Sequence, residues 1–131
     1  MSAAADTAPP TVRRTIDQPT IDAWADISGD RNPLHIDPEY AAGTRFGTTI
    51  AHGHLSLAWM TEAAVTWWGP EWLCGGALER VRFTSPVRPG ATVRIDGEFV
   101  ASDDDRRRCR ITVTDESDGT LCVVGTAVVP S

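Results

Sequence analysis

One segment restricts the possible folds more than any other. From His54 to Trp68 the chain is apolar on nearly every face of a helix: Leu55, Leu57, Ala58, Trp59, Met60, Ala63, Ala64, Val65, Trp67 and Trp68. A helix with apolar residues all round is expected to be buried rather than laid on a surface. Gly53 precedes it and Gly69-Pro70 ends it. The whole chain has 131 residues, enough for one domain with one core. The rest of the chain must therefore wrap this helix.

The second half has the pattern to do so. Val93, Ile95 and Phe99 alternate with Thr92, Arg94, Asp96 and Glu98, and Cys109, Ile111 and Val113 alternate with Arg108, Arg110 and Thr112. Period-two alternation marks strands with one buried face. A strand is also expected over residues 76–84, and a final, more buried one over 121–129. Pro86, Pro89 and Gly90, then Asp103-Asp104-Asp105, then Ser117-Asp118-Gly119 supply the turns. In the first half, residues 11–16 read as a short strand. Thr20 is placed as the N-cap of a helix over 21–27, and Asp37-Pro38 opens a short helix that Gly43 closes. These elements predict an α+β domain over residues 11–131, a curved antiparallel sheet around one long helix, after a loose tail over 1–10. The open edges of so small a sheet predict a dimer.

Composition removes several functions. The formal net charge is −6, which repels nucleic acid and anionic membranes. No apolar run is long enough to cross a membrane, and the N-terminus has no targeting pattern, so a cytoplasmic protein is expected. All 12 basic residues are Arg, which excludes Schiff-base or Lys-nucleophile chemistry. Cys74, Cys109 and Cys122 are odd in number and widely spaced, against a disulfide framework or a zinc ribbon. The latter two fall in strand patterns and read as core residues.

The chemistry is concentrated between the first helix and the apolar one. Ser28-Gly29-Asp30-Arg31-Asn32-Pro33-Leu34-His35-Ile36-Asp37 sets an acid and an imidazole five residues apart among turn formers. Asn32 is expected to fix the loop by bonding its backbone, and Asp37 to cap the next helix. Arg45-Phe46-Gly47-Thr48-Thr49-Ile50-Ala51-His52-Gly53 follows and ends where the apolar helix begins. His52 and His54 beside His35 raise the question of a metal, but an H-x-H without a carboxylate at ligand spacing carries little, and none is expected.

These stretches, with Arg82-Phe83-Thr84-Ser85-Pro86-Val87-Arg88-Pro89-Gly90, resemble the MaoC-like hydratase/dehydratase family. The likeness covers about residues 12–129. It implies a hotdog fold, usually dimeric, acting without a cofactor on acyl thioesters of coenzyme A or an acyl carrier protein. Asp30 and His35 match the family's catalytic pair, and Gly53 its backbone oxyanion donor, with Ser28, Asn32 and His52 in support. Phe46 and Trp59 are candidates for acyl contact, Arg45 and Arg82 for the carrier's phosphates. The expected reaction is (R)-specific hydration of a trans-2-enoyl thioester, or its reverse. His suits an acid–base step near neutral pH. A hotdog thioesterase, a specialised biosynthetic dehydratase or cyclase, and a subunit of a heteromeric dehydratase stand as alternatives.

Overall fold

The structure is a computed structural model, described here over residues 8–100 and 105–130. Asp103 and Asp104 of the expected hairpin tip, and most of the expected tail, lie outside those residues. The elements run β1 (Val12–Thr15), α1 (Gln18–Ser28), α2 (Pro33–Ile36), α3 (Pro38–Ala42), α4 (Gly53–Trp68), α5 (Pro70–Leu73), β2 (Ala77–Phe83), β3 (Thr92–Val100), β4 (Arg106–Asp115) and β5 (Thr120–Pro130). The strands make one five-stranded antiparallel sheet in the order β1-β3-β4-β5-β2. With α4 against it, this is the expected hotdog arrangement.

α1 starts earlier than the sequence reading placed it. Its cap is Asp17, whose Oδ1 accepts from the Thr20 backbone N–H at 2.9 Å and the Thr20 hydroxyl at 2.6 Å. Thr20 therefore spends its hydroxyl as a donor, and Pro19 lies in the first turn. A proline there costs no hydrogen bond, because the first helical N–H groups have no partner in the helix. The shift of three residues brings Gln18 into the helix. Gly29, at φ 80°, closes α1 by donating its N–H to Ala25 O.

α4 is buried along one face only. Leu55, Trp59, Met60, Ala63 and Ala64 pack into the core, spaced as neighbouring turns of a helix, with Ser56 buried on the same side. On the opposite side Val65 is 38% exposed, and Leu57, Ala58, Trp67 and Trp68 are partly covered. The expectation of burial all round thus does not hold for a single chain: one sheet can cover only one side of a cylinder. Glu62, the odd acid of this helix, forms an ion pair with Arg14 of β1.

The core joins α4 to alternate residues of β3, β4 and β5: Val93, Ile95, Ile111, Val113, Val123 and Val129. Each fully buried side chain of this size contributes about 1.5–3 kcal/mol by leaving water. Helix and sheet approach closely at Gly125, where an added Cβ would stand 3.2 Å from Met60 Cε and 3.1 Å from Val81 Cγ2. Phe99 departs from the expected inward pattern, at 38% exposure. Trp67 takes the space over Gly97 instead, where a Cβ would come within 2.7 Å of its ring. The Trp67 indole N–H also donates to Pro10 O at 2.9 Å, so the last residues of the expected tail are tied down.

Cys109 and Cys122 are buried and Cys74 is exposed. Burial pushes the Cys109 thiol up to about 11 and raises that of Cys122 as well. Thiolate is the reactive form, so iodoacetamide at neutral pH is expected to modify Cys74 alone in the native protein. Mass spectrometry checks this, and fast modification of either buried thiol would contradict the packing of β4 and β5.

Candidate active site

The loop after α1 is built from short side-chain-to-backbone bonds. Ser28 Oγ accepts from the Asp30 N–H at 3.1 Å, Asp30 Oδ1 from the Asn32 N–H at 3.3 Å, and Asn32 Oδ1 from the Leu34 N–H at 3.0 Å. Each step spans two residues, the reach at which Ser, Asp and Asn form local turns. Asn32 thereby caps α2, whose first residue is Pro33. Asp37 caps α3, its Oδ1 accepting from the N–H groups of Glu39 and Tyr40. The result is a chain of turns that delivers His35, half-buried on α2, beside an exposed Asp30.

Two carbonyls orient the histidines. His35 Nδ1 lies 2.8 Å from Ile50 O. A carbonyl only accepts, so Nδ1 carries the proton and Nε2 of the neutral ring keeps its lone pair. His52 is 1% exposed and its Nε2 stands 2.9 Å from Asp30 O, so that nitrogen is the protonated one. The two imidazoles stack with centroids 3.9 Å apart at 25°. His52 therefore holds the backbone of Asp30 and the face of the His35 ring together. Its Nδ1 is buried without a hydrogen-bond partner.

A ring nitrogen of each histidine and a carboxylate oxygen of Asp30 lie within 4.8 Å of one another. The trio has a metal-binding composition that the H-x-H spacing alone did not disclose. Its geometry suits a metal poorly. Ring lone pairs lie in the ring planes, and near-parallel stacked planes do not meet at the ~2.1 Å that a bound ion needs. One nitrogen of each ring is already committed to a carbonyl.

A cavity of about 280 Å³ opens beside His35. Phe46, Ile50, Ala51, Phe83, Pro86, Val87 and Val123 give it an apolar wall, with Arg45, Gly53 and Ser56 as further lining. Arg45 also sits over the Phe46 ring, 4.8 Å from its centroid. Gly53 is the first residue of α4, so its N–H has no partner within the helix. An added Cβ on Gly53 would lie 3.0 Å from Phe83 Cε1, so a side chain here would crowd that wall.

The structure thus gathers Asp30, His35 and His52, and sets His35, Arg45, Phe46 and Gly53 around one cavity. Trp59 is not part of its lining: it is buried in the core among the apolar residues of α4. Arg82 is exposed on β2 and does not line the cavity either. The sequence reading passed over Ser56, buried and facing the cavity one turn after Gly53, and Gln18, which reaches the loop from α1. A small polar residue in an apolar helix was the available signal for Ser56. None existed for the reach of Gln18 to His35 and Thr49, which are 17 and 31 residues away.

Comparison with known proteins agrees with this architecture. A family model described as "MaoC like domain" matches residues 1–120. The chain is 39% identical over 93 residues to 3-hydroxyacyl-thioester dehydratase Z of Mycobacterium tuberculosis, covering 69% of this chain and 62% of that protein. It spans about three-fifths of that relative's length. It is 35% identical over 121 residues to a 3-hydroxybutyryl-CoA dehydratase of Methylorubrum extorquens, covering 90% of this chain and 70% of that one. Among solved structures, R-hydratase PhaJ1 of Pseudomonas aeruginosa superposes with a TM-score of 0.78 at 33% identity, over 92% of this chain and 77% of that one. On the match of the family model and the shared fold, this chain is a member of the MaoC-like domain family.

Proposed function

We propose that this chain is a hydro-lyase that adds water to trans-2-enoyl thioesters, or removes it from (R)-3-hydroxyacyl thioesters, using Asp30 and His35 as its acid–base pair. The observation that carries this reading is the His35 tautomer. With Nδ1–H held by Ile50 O, Nε2 is an imidazole base beside a carboxylate, at the edge of an apolar cavity. A water bound by both groups spans about 4.5 Å, two hydrogen bonds of ~2.8 Å meeting near the tetrahedral angle. Nε2 accepts a proton as the water oxygen bonds to C3. The C2=C3 electrons move toward the thioester carbonyl, and the proton taken from the water is then returned by the acid–base pair to C2, which restores the neutral imidazole and leaves the hydroxyl on C3. The Gly53 N–H, at the positive end of α4, receives the charge that develops on the thioester oxygen.

Supporting the (R) outcome are relatives named as R-hydratases. Supporting a coenzyme A substrate is the dehydratase whose name specifies it, and Arg45 at the cavity suits a phosphate. The reading includes a cytoplasmic homodimer with residues 11–131 as one domain: β1 and β2 are sheet edges with no partner strand on their outer side among the described residues. No helix among those residues is long and apolar enough to cross a membrane.

The test mixes the protein with a series of trans-2-enoyl-CoA substrates and follows loss of the conjugated enoyl absorbance. Chiral analysis of the product is expected to give the (R)-3-hydroxyacyl thioester. Release of free thiol with no hydroxyacyl product would instead mean a thioesterase. Native mass spectrometry decides between a homodimer and another assembly.

A further inference from the structure

One half-buried carboxamide closes a ring of contacts around the candidate base. Gln18 Nε2 donates to His35 O at 2.8 Å and to Asp22 Oδ1 at 2.9 Å, while its Oε1 accepts from the Thr49 hydroxyl at 2.6 Å. Thr49 is 5% exposed and immediately precedes Ile50, whose carbonyl holds His35 Nδ1. The circuit runs from the His35 backbone through Gln18 to Thr49, on to Ile50 O, and back through the His35 ring.

We infer that Gln18 is a positioning residue, a clamp that sets the His35 tautomer by holding the histidine backbone at a constant span from the carbonyl its ring bonds. The inference rests on the proposed role of His35 as the base. Residue type supports it. A carboxamide carries a donor and an acceptor on one carbon, which a carboxylate at neutral pH does not. Gln18 bonds a main-chain carbonyl on one side and a buried hydroxyl on the other, so both functions are used. Its own base is rigid: it lies in the first turn of α1, between the Asp17 cap and buried Ile21. With the clamp gone, α2 is free to move against the Thr49–Ile50 segment. The Nδ1–H to Ile50 O bond then no longer dominates, and the alternative tautomer, with Nε2 protonated and useless as a base, gains population.

The test is Gln18→Met, which keeps the length of the side chain without its hydrogen bonds. Loss of an outer partner that orients a functional histidine costs on the order of 10–100-fold. The expected result is a fall of that size in kcat with KM within about twofold of the parent, and a folded protein whose thermal midpoint is lowered by the polar groups left without partners at His35 O and Thr49. Nitrogen NMR of the labelled imidazoles is expected to show one His35 tautomer in the parent and a mixture in the variant. Thr49→Val removes the other side of the clamp and decides the matter should Gln18→Met fail to fold. A kcat within about twofold of the parent, or a His35 spectrum identical to the parent's, overturns the inference. If the parent hydrates no enoyl thioester, it is the catalytic reading that fails; the tautomer comparison still decides the clamp.

Discussion

His35→Asn is expected to lower kcat for enoyl-thioester hydration by about 10²–10⁴-fold, with the fold intact. The choice of Asn matters. Its side-chain N–H₂ replaces Nδ1–H as donor to Ile50 O, so the segment that His35 anchors keeps its tie, but no basic nitrogen remains. His35→Ala would lose the tie too, leaving a half-buried carbonyl short of a donor at a cost of about 1–3 kcal/mol. Asp30→Asn is expected to fall in the same range, since Asn Oδ1 still accepts from the Asn32 N–H while the carboxylate is gone. The double variant is expected to lose scarcely more than the worse single one, because groups that act on one water act as a unit. Circular dichroism and a thermal midpoint near the parent's confirm that folding is not the cause. A folded His35→Asn protein with parental kcat would remove His35 from the mechanism.

The Gly53→Pro variant is expected to lose about 10²–10³-fold in kcat, the usual effect of deleting one oxyanion donor. Proline removes the N–H and nothing else that α4 needs. Position N1 has no helical partner for that N–H, and His52, at φ −61° and ψ 142°, already occupies the region a following proline demands. The added carbons crowd Phe83, which is 55% exposed and free to swing aside. Gly53→Ala supplies the control, because it crowds Phe83 while keeping the N–H. The alanine variant is expected to raise KM and retain most of kcat, so the difference between the two isolates the donor. Equal losses in kcat would assign the effect to crowding and leave the oxyanion role unsupported.

Much of the candidate site's loop was legible because its bonds are local. The Ser28–Asp30, Asp30–Asn32 and Asn32–Leu34 contacts each span two residues, and residue type alone implies such turns. The start of α4, the short helix α3 before it and the alternating strands were readable for the same reason, since each depends on neighbours a few residues away, whereas the single turn of α2 (Pro33–Ile36) was not read as a helix. The cap of α1 was misplaced by three residues because Asp17 and Thr20 are both good capping types. Only the geometry of their mutual hydrogen bond decides between them.

Side-chain direction was not legible. Trp59 and Ser56 lie less than one turn apart on an apolar helix, yet the tryptophan enters the core and the serine reaches the cavity. The phase of a helix that is apolar all round is set by the sheet it meets, not by its own pattern. The stack of His52 on His35 and the reach of Gln18 to Thr49 close over 17 and 31 residues, and nothing in local sequence encodes such a pairing. Residue types and their spacing determined that this chain carries an acid, an imidazole and a helix start in close succession. Tertiary packing decided which imidazole nitrogen is left bare and what lies opposite it, because those depend on carbonyls and walls contributed by distant segments.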